Sequence, residues 1–221
     1  MKRLGDTWGT TGVAMFVFLK GLDHVLGKEG SEAALPAAWR LYERLQRTFT
    51  AAEDIARLRQ FEHLPAGSLG REFWEYCQRH GFPLPGQPGA IPFDAVRHDV
   101  IHLMAGYGPD REGELLLVAF CCGFFGKRRP HSTGRQVVGP GRLMYTLRLP
   151  GDEVPATVRH MRRIARELGR REGATVSEAR VERAYERGRA MTVDLLNGWD
   201  YLLVAHRPLE ELRRRYGILP E

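Results

Sequence analysis

The sequence predicts an all-α protein: a single compact multi-helix domain over residues 1–221 with a metal-binding helical hairpin. Three observations predict it. Apolar residues recur at intervals of three and four along most of the chain, the pattern by which a helix buries one face. The patterned segments carry helix punctuation, with capping boxes at Thr50/Glu53 and Thr175/Glu178 and stops at Gly81 and Asn197-Gly198. No internal repeat, heptad run or low-complexity tract competes with this reading.

Composition narrows the class. A chain of 221 residues, 43% hydrophobic, is long enough to bury a core without disulfides. Its three cysteines include the adjacent pair Cys121 and Cys122 in an apolar helix; they form no CxxC pair, so buried thiols in a reducing compartment are expected. The apolar run Gly12–Leu19 behind Lys2 and Arg3 is too short to span a bilayer and no small-residue cleavage site follows it. The expectation is a cytoplasmic protein. The formal charge of +6 suits nucleic acid, anionic lipid or a soluble basic surface.

Taken in order, Val13–Val25 with Phe16, Phe18, Leu19 and Leu22 reads as a core helix, a face for lipid or a second copy of the chain (a homodimer) being the alternative. Leu35–Thr48 keeps helical spacing through Trp39, Leu41, Tyr42, Leu45 and on to Phe49. A helix should start at the Thr50 box and run to about Phe61. After a loop over Leu64–Gly70, Ser68 opens a helix whose Phe73, Trp74, Tyr76 and Cys77 form a core stripe, stopped by Gly81. The Pro/Gly-rich Phe82–Gly89 is a rigid connector to the hairpin at 92–126. Residues 127–150 form a basic loop with one extended piece at Leu143–Leu149. C-terminal helices occupy 152–217: Asp152–Leu168, a long helix from the Thr175 box to Asn197, and a last one opened by Pro208, Glu210 and Glu211 and closed by Arg213–Arg215. Arg159, Arg162, Arg163, Arg166, Arg170 and Arg171 line a polar face. Without interleaved aromatics this face is solvated or lipid-facing, and no nucleic-acid partner is expected.

The hairpin carries the chemistry. His98 and His102 stand four residues apart in a run with apolar Phe93, Val96, Val100, Ile101, Leu103 and Met104, so both imidazoles leave one helix face, with Asp99 about 100° round. Eight histidines in 221 residues give roughly 0.3 such pairs by chance. The string GYGPDREG ends the helix, and a second apolar helix, Glu114–Phe125, should fold back so that Glu114 faces His102. Two imidazoles and one or two carboxylates then converge, a donor set for one divalent ion. The alternative is a histidine pair on an exposed face.

The HD, two residues, H, eleven residues, E string formed by His98, Asp99, His102 and Glu114 resembles the metal signature of the ubiquinone (coenzyme Q) biosynthesis protein four family. The flanking LPAGSLGREFWEYCQRHGF from Leu64 and WDYLLVAHRPLEELRRRYGI from Trp199 also resemble that family, so that the likeness runs from about Ala51 to Ile218. It implies an all-helical, lipid-handling protein acting on a polyprenylated 4-hydroxybenzoate intermediate, by decarboxylation and hydroxylation at ring carbon one. The activity implied by the resemblance is that of a 4-hydroxy-3-methoxy-5-polyprenylbenzoate decarboxylase-like lyase. It also implies peripheral association with the inner membrane and contact with other ubiquinone-pathway enzymes. Carried over residue by residue, the resemblance implies that His98, Asp99, His102 and Glu114 are the metal ligands; Asp99 and Glu114, the carboxylates among them, are the candidate catalytic residues.

Zinc is the first expectation and iron the second, but the donor types do not separate them: two histidines and a carboxylate also describe the non-haem iron triad, which suits an oxygen-dependent step. A prenyl tail calls for an apolar tunnel, which helices rich in Phe, Leu and Val beside the hairpin can supply. Two other functions fit the residues. A noncatalytic carrier or scaffold would grip a prenyl lipid and its partner enzymes. A metal-dependent hydrolase would use HDVIH as a variant of HExxH, with Asp99 a methylene short of the usual base.

Overall fold

The computed structural model describes residues 52–85, 87, 90, 93–125, 127, 158–163, 165–166, 177–196 and 199–221. The expected helices at Val13–Val25 and Leu35–Thr48, the basic loop beyond Lys127 with its extended piece, and the Thr50 and Thr175 cap positions lie outside these residues. The described architecture is helical, as predicted, and among the described residues no strand occurs. The elements are α1 (Ala52–Arg59) with a 3-10 turn (Gln60–His63), α2 (Leu69–His80), α3 (Phe93–Ala105), α4 (Arg111–Phe124), α5 (Glu178–Ala190), α6 (Tyr201–Val204) and α7 (Leu209–Tyr216). Residues 158–163 are also helical.

The start of α2 is where the two flanks of the chain meet. Ser68 is its N-cap, as expected: the hydroxyl accepts from the Arg71 N–H at 3.4 Å and donates to the Pro65 carbonyl at 2.6 Å. The Leu69 and Gly70 N–H groups donate to Arg207 and Ala205 carbonyls, both at 2.8 Å, and Leu209 N–H returns to Gly67 O at 2.9 Å. Helix-start donors that have no partner inside α2 are thus filled from the α6–α7 turn. At the other end Gly81 takes a left-handed conformation, φ 66°, and its N–H closes onto Cys77 and Gln78 carbonyls. Ser68→Ala should therefore cost about 1–2 kcal/mol of stability, read as a lower urea midpoint at unchanged slope.

The core runs from Phe61, Phe73 and Tyr76 through the inner faces of α3 and α4 to Trp199, Leu212 and Tyr216. Trp199 is fully buried, edge-on to Tyr216 at 6.1 Å and to Tyr201 at 6.2 Å. The aromatic stripe of α2 is core, as its spacing predicts, with Phe73, Tyr76 and Cys77 buried and Trp74 partly so.

Two boundaries differ from expectation. The helix α4 begins at Arg111, three residues before Glu114, because Asp110 caps it by accepting from the Gly113 N–H at 2.8 Å. The helix α5 ends at Ala190, well short of Asn197, and its cap is Ser177, which accepts from Arg180 N–H. Beyond Ala190 the chain leaves the helical path and buries Met191 and then Val193, Asp194 and Leu195 in succession. Thr192 N–H donates to the Tyr216 carbonyl at 2.9 Å, and the Asp194 side chain accepts from Leu196 N–H at 2.8 Å in a local turn.

The arginine face of 158–166 is partly engaged. Arg162 pairs with Glu182, and Arg166 makes a two-point contact with Glu178 at 2.7 and 2.8 Å, so two of its guanidinium groups tie this segment to α5. Both pairs are exposed and contribute little to stability. No helix among the described residues is long and apolar enough to cross a membrane.

Candidate metal centre

The hairpin forms as the sequence predicts, α3 and α4 joined by residues 106–110. The loop turns tightly over the start of α4: a Cβ at Gly113 would lie 1.9 Å from the Gly108 carbonyl oxygen, so only glycine lets the two backbones touch. One residue on, Glu114 is carried to the inner face opposite the two histidines, which are 4% and 0% exposed.

Three donor atoms meet there. The Nε2 atoms of His98 and His102 stand 3.0 Å apart, and Glu114 Oε1 lies 3.3 Å from the first and 3.2 Å from the second. Donors about 2.1 Å from one ion and about 90–100° apart have this spacing, so the triangle matches three adjacent coordination positions. His102 Nδ1 lies 3.3 Å from the Tyr107 carbonyl. A carbonyl can only accept, so Nδ1 holds the proton and the Nε2 lone pair faces the triangle.

Electrostatics and orphaned atoms support the fit. Burial disfavours the charged form of His98, yet the hydrogen-bonded Glu114 carboxylate prevails and its pKa is raised; burial prevails at His102, which is lowered. Burial would raise Glu114 too, but the two histidines hold it below its ordinary value. Glu114 Oε2 and Asp99 Oδ1 are buried and accept no hydrogen bond. An acceptor such as Glu114 Oε2 is costly to bury unless a cation or donor faces its carboxylate, which is what a divalent ion at the triangle supplies.

The structure thus brings together three of the four predicted ligands. Asp99, 1% exposed, is not in the donor triangle. It lies close enough to interact with both partners: burial raises its pKa to about 7, against the pull of His98 and with the push of Glu114. Its charge is also felt by α2, where burial first and Asp99 second raise Cys77 to about 12 and push up Tyr76. The Tyr76 hydroxyl is a further buried group without a hydrogen-bond partner. Sequence reasoning placed Tyr76 in the core on its spacing and gave no signal that its hydroxyl feels the charges of Asp99 and Glu114. The thiols of Cys121 and Cys122 are buried and raised by burial, as expected for inert packing cysteines.

No family model matches the sequence, and no curated protein matches it. Among solved structures, a protein from Nostoc punctiforme provisionally described as a ubiquinone biosynthesis protein is similar over 99% of this chain and 100% of its own, at 16% identity and a TM-score of 0.44. A likeness at that level sets no residue correspondence.

Proposed function

We propose that the chain holds one divalent ion at His98, His102 and Glu114 and acts with it on a polyprenylated 4-hydroxybenzoate on the route to ubiquinone. The donor triangle is the observation that carries the ion. The substrate class follows from the sequence resemblance over Ala51–Ile218. The reaction is oxidative decarboxylation: the bond from ring carbon one to the carboxyl group breaks and carbon dioxide leaves, a carbon–oxygen bond forms to the oxygen of a water molecule, and dioxygen takes the two electrons and two protons and leaves as hydrogen peroxide. A bound ion would supply a Lewis acid for a substrate oxygen, zinc for charge alone and iron where oxygen is used directly.

The chain's own residues do the rest. His102, locked by the Tyr107 carbonyl, and His98 present neutral nitrogen donors, while Glu114 brings the negative charge. Asp99 sits beside them with an unpartnered oxygen and is the carboxylate placed to take a proton from the ring hydroxyl. The apolar faces of α2, α3 and α4 exclude water from this end of the hairpin. The prenyl tail would lie along those faces, with the protein meeting the membrane peripherally and presenting the substrate to neighbouring pathway enzymes.

The test is turnover of a prenylated 4-hydroxybenzoate by purified protein loaded with iron or zinc, read as carbon dioxide release, with restoration of ubiquinone synthesis in a strain lacking that step. Asp99→Asn should lower turnover by about a hundred-fold or more while ligand binding and folding persist, since the amide keeps the shape and loses the base. Full restoration by a folded Asp99→Asn protein with no turnover in vitro would replace the enzyme by a carrier or scaffold.

A further inference from the structure

The last four carbonyls of an α-helix have no partner inside it and are filled from elsewhere. At the end of α3 this filling is specific. The His102 carbonyl receives the Gly106 and Tyr107 N–H groups at 2.9 and 3.2 Å. One guanidinium, Arg213 of α7, spans the next two: Nη2 donates to Leu103 O at 2.7 Å and Nε to Met104 O at 3.1 Å. Arg187 of α5 takes the fourth, with Nη2 donating to Ala105 O at 2.9 Å.

Arg187 also covers the residue that orients His102. It is 8% exposed, its Nε donates to the Leu219 carbonyl at 2.8 Å, and its guanidinium carbon lies 5.0 Å from the centre of the Tyr107 ring and 5.6 Å from that of Phe120. The carbonyl of this same Tyr107 faces His102 Nδ1 and sets which ring nitrogen is free. Groups that hold a metal-binding histidine by its far nitrogen commonly change ion affinity without touching the ion.

We infer that Arg187 and Arg213, more than 80 residues beyond the α3 carbonyls they hold, are positioning residues of the metal centre. They clamp the final turn of α3 and hold the Tyr107 carbonyl where His102 needs it. The inference rests on the ion site proposed above. Its consequence is that the ion senses the docking of the C-terminal helices: the donors reach their geometry only when α5 and α7 are seated against the hairpin.

The experiment measures zinc affinity by competition with a chromophoric chelator, and the visible absorption of the cobalt-loaded protein, for the full chain. Arg187→Met and Arg213→Gln should each weaken zinc binding by about ten- to a hundred-fold and shift the cobalt bands. Arg213→Lys, able to reach one carbonyl where arginine reaches two, should fall between. Leu58→Ala, a cavity in α1 with no hydrogen bond to α3, should lower stability yet leave both readouts at wild-type values. The Arg213 side chain is 26% exposed, so Arg213→Gln carries the test if Arg187→Met does not fold. Folded variants that bind zinc within about two-fold of wild type overturn the positioning role, as would Leu58→Ala weakening zinc as much as the arginine variants. A wild-type chain that takes up neither ion overturns the site itself and this inference with it.

Discussion

Purified His98→Ala and Glu114→Ala proteins should carry almost no divalent ion, where the wild type carries about one per chain. The magnitude follows from how binding energy divides among donors. Four-donor zinc sites hold their ion by roughly 10–16 kcal/mol, or about 3 kcal/mol per donor, so losing one weakens binding by at least about a hundred-fold. Glu114 should matter more than its single oxygen suggests. It is the triangle's only carboxylate, and its removal leaves two imidazole nitrogens 3.0 Å apart with nothing negative between them. Glu114→Gln, which keeps shape and loses charge, separates these effects and should lose the ion almost as fully. A chelator should lower the unfolding temperature of the wild type and leave that of His98→Ala unchanged, because an ion bound only by the folded chain stabilises it by mass action. Stoichiometric metal in both alanine variants, measured by elemental analysis, would remove the site.

What the chain reveals of this centre divides by range. His98, His102 and Glu114 were legible because helical period and a short breaker string fix where they stand, and both are local properties. The same locality placed the Ser68 cap, the Gly81 stop and the last helix with its acidic start and basic end. The end of α5 differs from expectation because distant contacts decide it. A helical reading carries α5 to Asn197, but the backbone of Thr192 is claimed by Tyr216, and Met191, Val193, Asp194 and Leu195 are buried there by the fold around them. Asp99, about 100° round the helix from the histidines, lies outside the donor triangle, and its charge adds to burial in raising the pKa of Tyr76 and Cys77. Arg187 and Arg213 belong to arginine-rich strings in which nothing singles them out. Their roles appear only when the ends of three helices are seen to meet.

Gly188→Val should be the most damaging single change outside the metal centre. The helices α4 and α5 cross with their backbones in contact: a Cβ at Gly188 would lie 2.0 Å from the Phe120 carbonyl oxygen and 3.0 Å from the Gly123 Cα, and one at Gly123 would lie 2.3 Å from the Tyr185 carbonyl oxygen. These neighbours are backbone, which cannot swing aside as a side chain can, so any added carbon must push the helices apart. Alanine gains up to about 1 kcal/mol over glycine in helix propensity, but overpacking costs about 1–3 kcal/mol or more, so Gly188→Ala should be a net loss and the larger, β-branched valine a greater one. Separation also acts at a distance. Gly188 follows Arg187, so pushing α5 outward draws that guanidinium from the Ala105 carbonyl at the end of the metal helix. Gly188→Val should therefore lose stability by about 3 kcal/mol or more in urea unfolding and bind zinc more weakly in whatever fraction stays folded. Arg183→Ala, on the exposed side of the same helix, should change stability by less than about 0.5 kcal/mol and leave zinc binding alone. Equal stabilities for the valine and Arg183 variants would show that α4 and α5 do not cross in this contact.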